Sequence, residues 1–355
     1  MSVTRANRRI KTLAWGAVPV VALATLVSVD HIPGTEISLT VPFAAEGPGP
    51  LFNTLGDIDD VPVIEIEGET VDEAQGQLQM TTVSVRSNMT LAQALGRWLT
   101  TDDTLVPIEQ VFPPDMTEEE IQVSNQAAFT SSEAAATVAA MNHLGRPVEV
   151  IVVDSVEGSA AAGVILPEDV IVEADGQNVD SPGQVQDIVR AKAPGDELTL
   201  TLNREGAEIE QTITLGESST EPGVPMLGIL MASEPTDGVE VSYNLQDIGG
   251  PSAGMIFSLA VIDKLSPGEL NGGRHIAGTG TIDEDGTVGP IGGIVHKINA
   301  ANSDGVELFL APAANCAEAI SREHGEMVIA RVATLEDAID AMADFDAGRD
   351  VEVCS

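Results

Sequence analysis

Residues 249–265 read GGPSAGMIFSLAVIDKL: two glycines and a proline stand directly before Ser252, and an apolar run follows. Taken as a helix over 252–265, the stretch places Ser252, Met255, Ile256, Leu259 and Ile262 on one face, at offsets of three, four, seven and ten. Serine is a favoured helix N-cap, so on its own Ser252 reads as a cap. The preceding Gly249, Gly250 and Pro251 open a second reading. They let a substrate backbone approach closely, and free N–H groups at a helix start can hold an oxyanion. On that reading Ser252 is a nucleophile, with Gly250, Pro251 and Ala253 shaping the turn and the oxyanion site.

A partner for such a serine lies about 45 residues downstream. After TVGPIGG a helix is predicted from about Gly293 to Ser303, with Ile294, Ile298 and Ala301 as its apolar stripe. Lys297 falls inside that stripe, while His296 and Asn299 lie off it. A lysine facing a core lowers its pKa and sheds its charge. The neutral amine is then a base able to take a serine proton. The other lysines, Lys11, Lys192 and Lys264, have plainer roles. Lys192 and Lys264 close helices, where a cation offsets the C-terminal dipole, and Lys11 belongs to a basic N-terminal flank.

The chain has 355 residues, enough for two or three domains, and 43% hydrophobic residues, enough for real cores. Its formal charge of −40 excludes nucleic acid or an anionic membrane surface as the main partner. His31, His143, His275, His296 and His324 show no metal-ligand spacing with each other or with cysteine, so neither metal nor cofactor is expected. His296 adjoins Lys297 but points elsewhere on a helix, which argues against a Ser–His–Asp triad. Asp283, Glu284 and Asp285 read as the solvated tip of a hairpin.

At the N-terminus, RANRRIKTLAWGAVPVVALATLVSV (5–29) sets Arg5, Arg8, Arg9 and Lys11 before a charge-free run from Thr12 to Val29. Those 18 residues are about long enough for one membrane crossing, and the positive flank assigns the N-terminus to the cytoplasm. A cleavable signal peptide is the competing reading. Its apolar region would be shorter, and VSVDHIPG offers no clean small-residue cleavage site. The expectation is an uncleaved transmembrane signal anchor over 1–30 in a single-pass cell-membrane protein, with the body extracytoplasmic. Cys316 and Cys354 are compatible with two thiols or with one disulfide, and an extracytoplasmic body favours the disulfide.

Residues 31–144 read as mixed α/β structure without assignable chemistry. VPVIEIEG and GQLQMTTVSV have strand character and TLAQALGRWL is a short helix. TEEE (117–120) and TSSE (130–133) are capping-box patterns, each opening a helix. From about Gly145 to Gly216 the pattern turns β-rich. PVEVIVVDSV is a strand, SPGQVQDIVRAK a helix with Ser181 as N-cap and Pro182 in its first turn, and DELTLTLNREGAEIEQTITL a pair of strands. With the small residues 158–163 and the segment Glu168–Gly176, this module resembles a PDZ domain of the bacterial protease-associated kind. The resemblance implies capture of an extended peptide beside a strand, with a carboxylate-binding loop near Leu144, Gly145 and Arg146.

From about Pro222 strands alternate with helices. GPSAG (250–254) and TGTIDEDGTVGPIGGIVHKINAA (279–301) resemble the two blocks of the proteolytic domain of Lon-type serine peptidases. That resemblance covers roughly 222–345. It implies a Ser–Lys dyad of Ser252 and Lys297, supported by Thr279. Two positions depart from the family: Gly249 and Thr281 stand where acidic residues are common, which puts a third, acidic member in doubt. Asp247 is near but off the motif.

The layout resembles membrane-anchored bacterial PDZ–Lon proteins. It implies an extracytoplasmic endopeptidase acting on polypeptides and an oligomer of unspecified number. Full Lon proteases carry an ATPase, and no GxxxxGK[ST] segment occurs here, so hydrolysis is expected to be ATP-independent and confined to unfolded or extended substrates. The alternative is an inactive PDZ scaffold that only binds peptides. The expected fold is α+β: an N-terminal transmembrane helix (1–30), mixed structure (31–144), a PDZ-like module (145–216), a Lon-type proteolytic domain (222–345) and a tail (346–355).

Overall fold

The computed structural model describes residues 15–355 except 20–22, 24, 33, 36, 73–74, 113–115, 219–220 and 246–247. Along the chain, strand β1 (Phe43–Asn53) and β2 (Ile64–Glu67) lead to β3 (Gln77–Arg86), helix α1 (Leu91–Thr100) and β4 (Thr104–Pro107). Helix α2 (Glu118–His143) runs into β5 (Val148–Ser155), β6 (Val170–Ala174), α3 (Pro182–Arg190), β7 (Glu197–Arg204) and β8 (Ala207–Thr214). Then come β9 (Ile229–Pro235), β10 (Glu240–Tyr243), α4 (Gly254–Leu265), β11 (His275–Gly278), β12 (Thr281–Ile282) and β13 (Val288–Gly289). The C-terminal part holds α5 (Ile294–Asp304), β14 (Leu308–Pro312), the single turn α6 (Cys316–Ala319), β15 (Val328–Val332) and α7 (Leu335–Asp346).

Two sheets organise these elements. The larger has the order β15–β14–β11–β3–β1–β4. Its first four strands are parallel, with Ile276 opposite both Leu78 and Leu308, and β1 and β4 add antiparallel to the edge. Side chains alternate across it as a pleated strand requires. Leu78, Met80, Ile276, Leu308 and Leu310 enter a core with α2, α4 and α7, while Ala277, Phe309 and Ala311 enter another with α5 and α6. Burial of both faces explains why β14, LFLAP, is apolar throughout. Residues 31–144 therefore supply half of this sheet through β1, β3 and β4, as well as the covering helix α2.

The second sheet, β8–β7–β6–β5–β9, is antiparallel and closes over Val150, Val152, Ile171, Leu198, Leu200 and Leu202, with α3 packed through Val185 and Val189. Its edge strand β9 comes from residues 229–235, beyond Gly216.

Three expectations need correction. The helix expected to cross a membrane over Thr12–Val29 is the first. Among the described residues no helix is long and apolar enough to do so. Residues 12–14, 20–22 and 24 of that stretch lie outside the described residues, and Pro19 lacks the N–H that carries a helical ladder. A single-pass membrane location, and a membrane partner through this helix, are therefore not supported; Arg5, Arg8, Arg9 and Lys11 lie outside the described residues. The second concerns TSSE, which opens no helix. Thr117 and Glu120 form the capping box that starts α2, and the helix runs unbroken through 130–133. The third concerns α4, which is buried from Gly254 to Asp263 rather than along one stripe, because it lies between the sheet and two other helices.

Candidate active site

Ser252 precedes α4 on one face of the large sheet, and Lys297 belongs to α5 on the other. Thr279 follows β11 at the carboxyl end of the parallel strands, the side of such sheets where ligands bind. Lys297 Nζ lies 2.7 Å from Ser252 Oγ and 2.7 Å from Thr279 Oγ1. Thr279 Oγ1 in turn donates to the Ser252 carbonyl (2.9 Å), which also accepts from the Gly280 N–H (2.9 Å). With its own proton committed, the threonine hydroxyl accepts one hydrogen of the amine, and the nitrogen lone pair is left for the serine O–H. Lys297 is 2% exposed, and burial pulls its pKa down to about 7. Among the described residues no carboxylate pairs with it.

Ser252 does not cap α4. The N-cap is Ala253, with no side-chain cap bond, and the serine hydroxyl is free to face the lysine. Helix α2 grips the preceding loop: the Gly250 N–H donates to Asn125 O (2.9 Å) and Ser132 Oγ donates to Pro251 O (3.0 Å). Gly250 thus has its N–H engaged and Pro251 has none, which leaves Ala253, of the three turn residues, as the one able to offer an N–H to an oxyanion. Gly249 touches α2 so closely that a Cβ there would come within 2.9 Å of Asn125 Cβ. That contact explains the missing acidic residue. Thr281 lies on β12 opposite Gly289, and Asp247 lies outside the described residues.

A cleft of about 540 Å³ opens over the serine. Phe52, Met80, Phe129 and Ile248 make it apolar near Ser252, and Val83 and Gly292 form the wall beside Lys297. Sequence reasoning missed Phe52, Met80, Phe129 and Val83, which stand 123 to 200 residues before Ser252. The only local signal was the alternation of GQLQMTTVSV, which marks a strand and not a cleft wall.

The expected carboxylate-binding loop is a correction. Leu144 caps α2, Gly145 takes a left-handed φ of 64°, and Arg146 is held by Glu69 and Asp237 in ion pairs. None of the three lines a peptide groove, and the Arg146 charge is consumed at home. The groove of this domain, about 310 Å³, runs between α3 and β9, lined by Val185, Val189, Arg190, Leu227, Ile229 and Met231 among others. The apolar run PMLGILM (225–231) was its signal, assigned instead to the following domain.

Cys316 and Cys354 are joined in a disulfide that ties α6 to the C-terminal tail. His296 is buried with Nδ1 unpaired, and burial lowers its pKa; Lys297, not His296, is the hydrogen-bond partner of Ser252. Glu284 is not merely a solvated tip: it accepts from Ser233 of β9 (2.7 Å). Among the described residues no group of histidine, cysteine and carboxylate side chains could hold a metal ion.

Comparison with known proteins places two families on this chain. A family described as PDZ domain matches residues 121–215, and one described as Lon protease (S16) C-terminal proteolytic domain matches residues 246–342. The chain is 26% identical over 165 residues to "Lon protease homolog 2, peroxisomal" of Caenorhabditis elegans, covering 46% of this chain and 21% of that protein. It is 29% identical over 165 residues to "Archaeal Lon protease" of Methanocaldococcus jannaschii, covering 45% of this chain and 24% of that one. It therefore spans only about a quarter or less of these relatives' length. Among solved structures, the PDZ domain of the SdrC-like protein from Listeria innocua is 30% identical, covering 23% of this chain and 92% of that chain, with a TM-score of 0.22. Residues 121–215 thus match a PDZ domain family and residues 246–342 match the proteolytic domain of Lon-type serine peptidases.

Proposed function

We propose that this chain is an ATP-independent serine endopeptidase that cuts extended polypeptide segments, with Ser252 as nucleophile and Lys297 as general base. The observation that carries the reading is the amine of Lys297, buried, held near pKa 7, and 2.7 Å from the serine hydroxyl. As Ser252 Oγ attacks a peptide carbonyl carbon, its proton passes to Lys297 Nζ. The N–H of Ala253 at the start of α4 stabilises the resulting oxyanion. Collapse of the tetrahedral intermediate breaks the C–N bond, and the ammonium of Lys297 returns the proton to the leaving amine. Water, deprotonated by the same amine, then hydrolyses the acyl-serine. Thr279 fixes the amine's orientation and does not exchange protons with substrate.

The chemistry assigned to Ser252 and Lys297 consumes only water besides the peptide, so the cleavage step itself needs no ATP, and the cleft over Ser252 takes extended stretches. The groove between α3 and β9 selects them by strand addition. The disulfide supports substrates met where thiols are oxidised. The test is hydrolysis of casein by the chain without ATP, comparing the parent with Ser252→Ala and Lys297→Ala. Cleavage by the parent alone supports the proposal. A folded parent that binds peptides through the groove yet cleaves none overturns it in favour of a scaffold.

A further inference from the structure

Between β13 and the start of α5, residues 290–293 bring Gly292 to the cleft and lead into the helix that bears Lys297. Gly293 is the N-cap of α5, with φ +68°, and its carbonyl accepts from the N–H groups of His296 (3.0 Å) and Lys297 (3.3 Å). A side chain at Gly293 would collide with the adjacent Val83 of β3, so this loop has little freedom to shift without moving the lysine. One side chain holds it from behind. Asn315 accepts from the Ile291 N–H at 2.9 Å and donates through Nδ2 to the Ile291 carbonyl, also at 2.9 Å. Asn315 is buried and stands next to Cys316, whose disulfide to Cys354 anchors the turn α6. Backbone pairing of Cys354 N–H with Ile329 O (3.0 Å) fixes the other end of that tether to β15.

We infer that Asn315 is a positioning residue of the peptidase site: its carboxamide clamps both backbone polar groups of Ile291, so that Gly292 walls the cleft and α5 presents Lys297 to Ser252. The choice of asparagine follows from chemistry. A planar group offering one acceptor and two donors can satisfy an N–H and a C=O of the same residue at once; a carboxylate only accepts, and alanine does neither. The inference rests on the proposed Ser252–Lys297 chemistry for its kinetic readouts.

The test uses the full chain with Asn315→Ala and Asn315→Asp, each checked for parent-like peptide binding by the groove between α3 and β9. Asn315→Ala is expected to lower kcat/KM for an unfolded substrate by about 10²-fold, the cost of a displacement on the order of an ångström at the reacting groups. Its pH midpoint should also rise, as water reaches Lys297. Asn315→Asp, which keeps the size and one of the two bonds, should fall between parent and alanine variant, and it carries the test should the alanine variant fail to fold. Amide hydrogen exchange read by mass spectrometry should quicken in residues 290–297. Parent-like kcat/KM, pH midpoint and exchange in both variants would overturn the clamp. A parent chain that cleaves nothing sinks the peptidase reading instead, and the exchange measurement then still decides on Asn315.

Discussion

Lys297 is buried, and its nitrogen meets two hydroxyls, of which Thr279 has already committed its proton to a carbonyl. Desolvation then holds the pKa near 7, so kcat/KM should rise with pH through about 7 and level off above. Lys297→Arg, whose guanidinium stays charged, should lose activity by about 10⁴-fold or more; a pH–rate series on both proteins checks this. The same burial has a cost in stability. Between about pH 7 and 10.5 the unfolded chain holds a proton that the folded chain has released, so this residue makes stability rise with pH across that window. At neutral pH the penalty is several kcal/mol, at about 1.4 kcal/mol per factor of ten in proton affinity. Lys297→Met should therefore raise the melting temperature at about pH 7, with a gain that shrinks towards pH 10. Thermal unfolding at several pH values would show it. The identity of this lysine was legible because helical spacing put it among Ile294, Ile298 and Ala301. Its distance to Ser252 was not, because the two helices lie on opposite faces of a sheet.

Helix α2 shows what happens between elements. Its capping box at Thr117 was readable, yet the equally good pattern at 130–133 opens nothing, because Thr130 sits in a turn whose carbonyl partners are already in place. Tertiary packing overrides a local cap signal. Instead Ser132 turns to Pro251 O and the Asn125 carbonyl to the Gly250 N–H, so α2 braces the nucleophile loop. This contact decides the fate of the family's acidic position. Gly249→Asp, which restores a carboxylate there, should reduce activity about tenfold or more and destabilise by about 1–3 kcal/mol, since a Cβ meets Asn125 at 2.9 Å. Peptide hydrolysis together with denaturant unfolding checks this. A gain in activity would mean that the loop relaxes and the carboxylate reaches the lysine. Likewise α4 was placed within two residues, but its apolar stripe proved to be burial on all sides, since a run such as MIFSLAVI has no polar face to define one.

For the whole molecule, the large sheet joins strands from residues 43–107 to strands from 275–332, and the disulfide pins the last residues to α6. Cys354→Ser opens a loop with 38 residues of separation, and the chain-entropy model assigns such a crosslink about 4 kcal/mol. The variant should melt at a lower temperature, and calorimetry of both proteins checks it. Strands and helices were visible in the sequence, but the sheet each strand joins was not: β9 completes the smaller sheet from beyond Gly216, and β1, β3 and β4 complete the larger one from a region that had no assignable chemistry.

By itself the sequence singled out Ser252 and Lys297 as candidates, the two helices that follow or carry them, the strand and helix periods, and resemblance to two domain families, because these depend on local spacing and on side-chain chemistry. Only the tertiary structure decided that Ser252 and Lys297 lie 2.7 Å apart, that Arg146 is neutralised by Glu69 and Asp237 instead of facing a peptide, and that Asn315 clamps Ile291. These contacts span 24 to 91 positions, and no periodicity of a helix or strand extends that far. The membrane helix marks the opposite case. A charge-free run met the length criterion in sequence, yet among the described residues no helix is long and apolar enough to cross a bilayer.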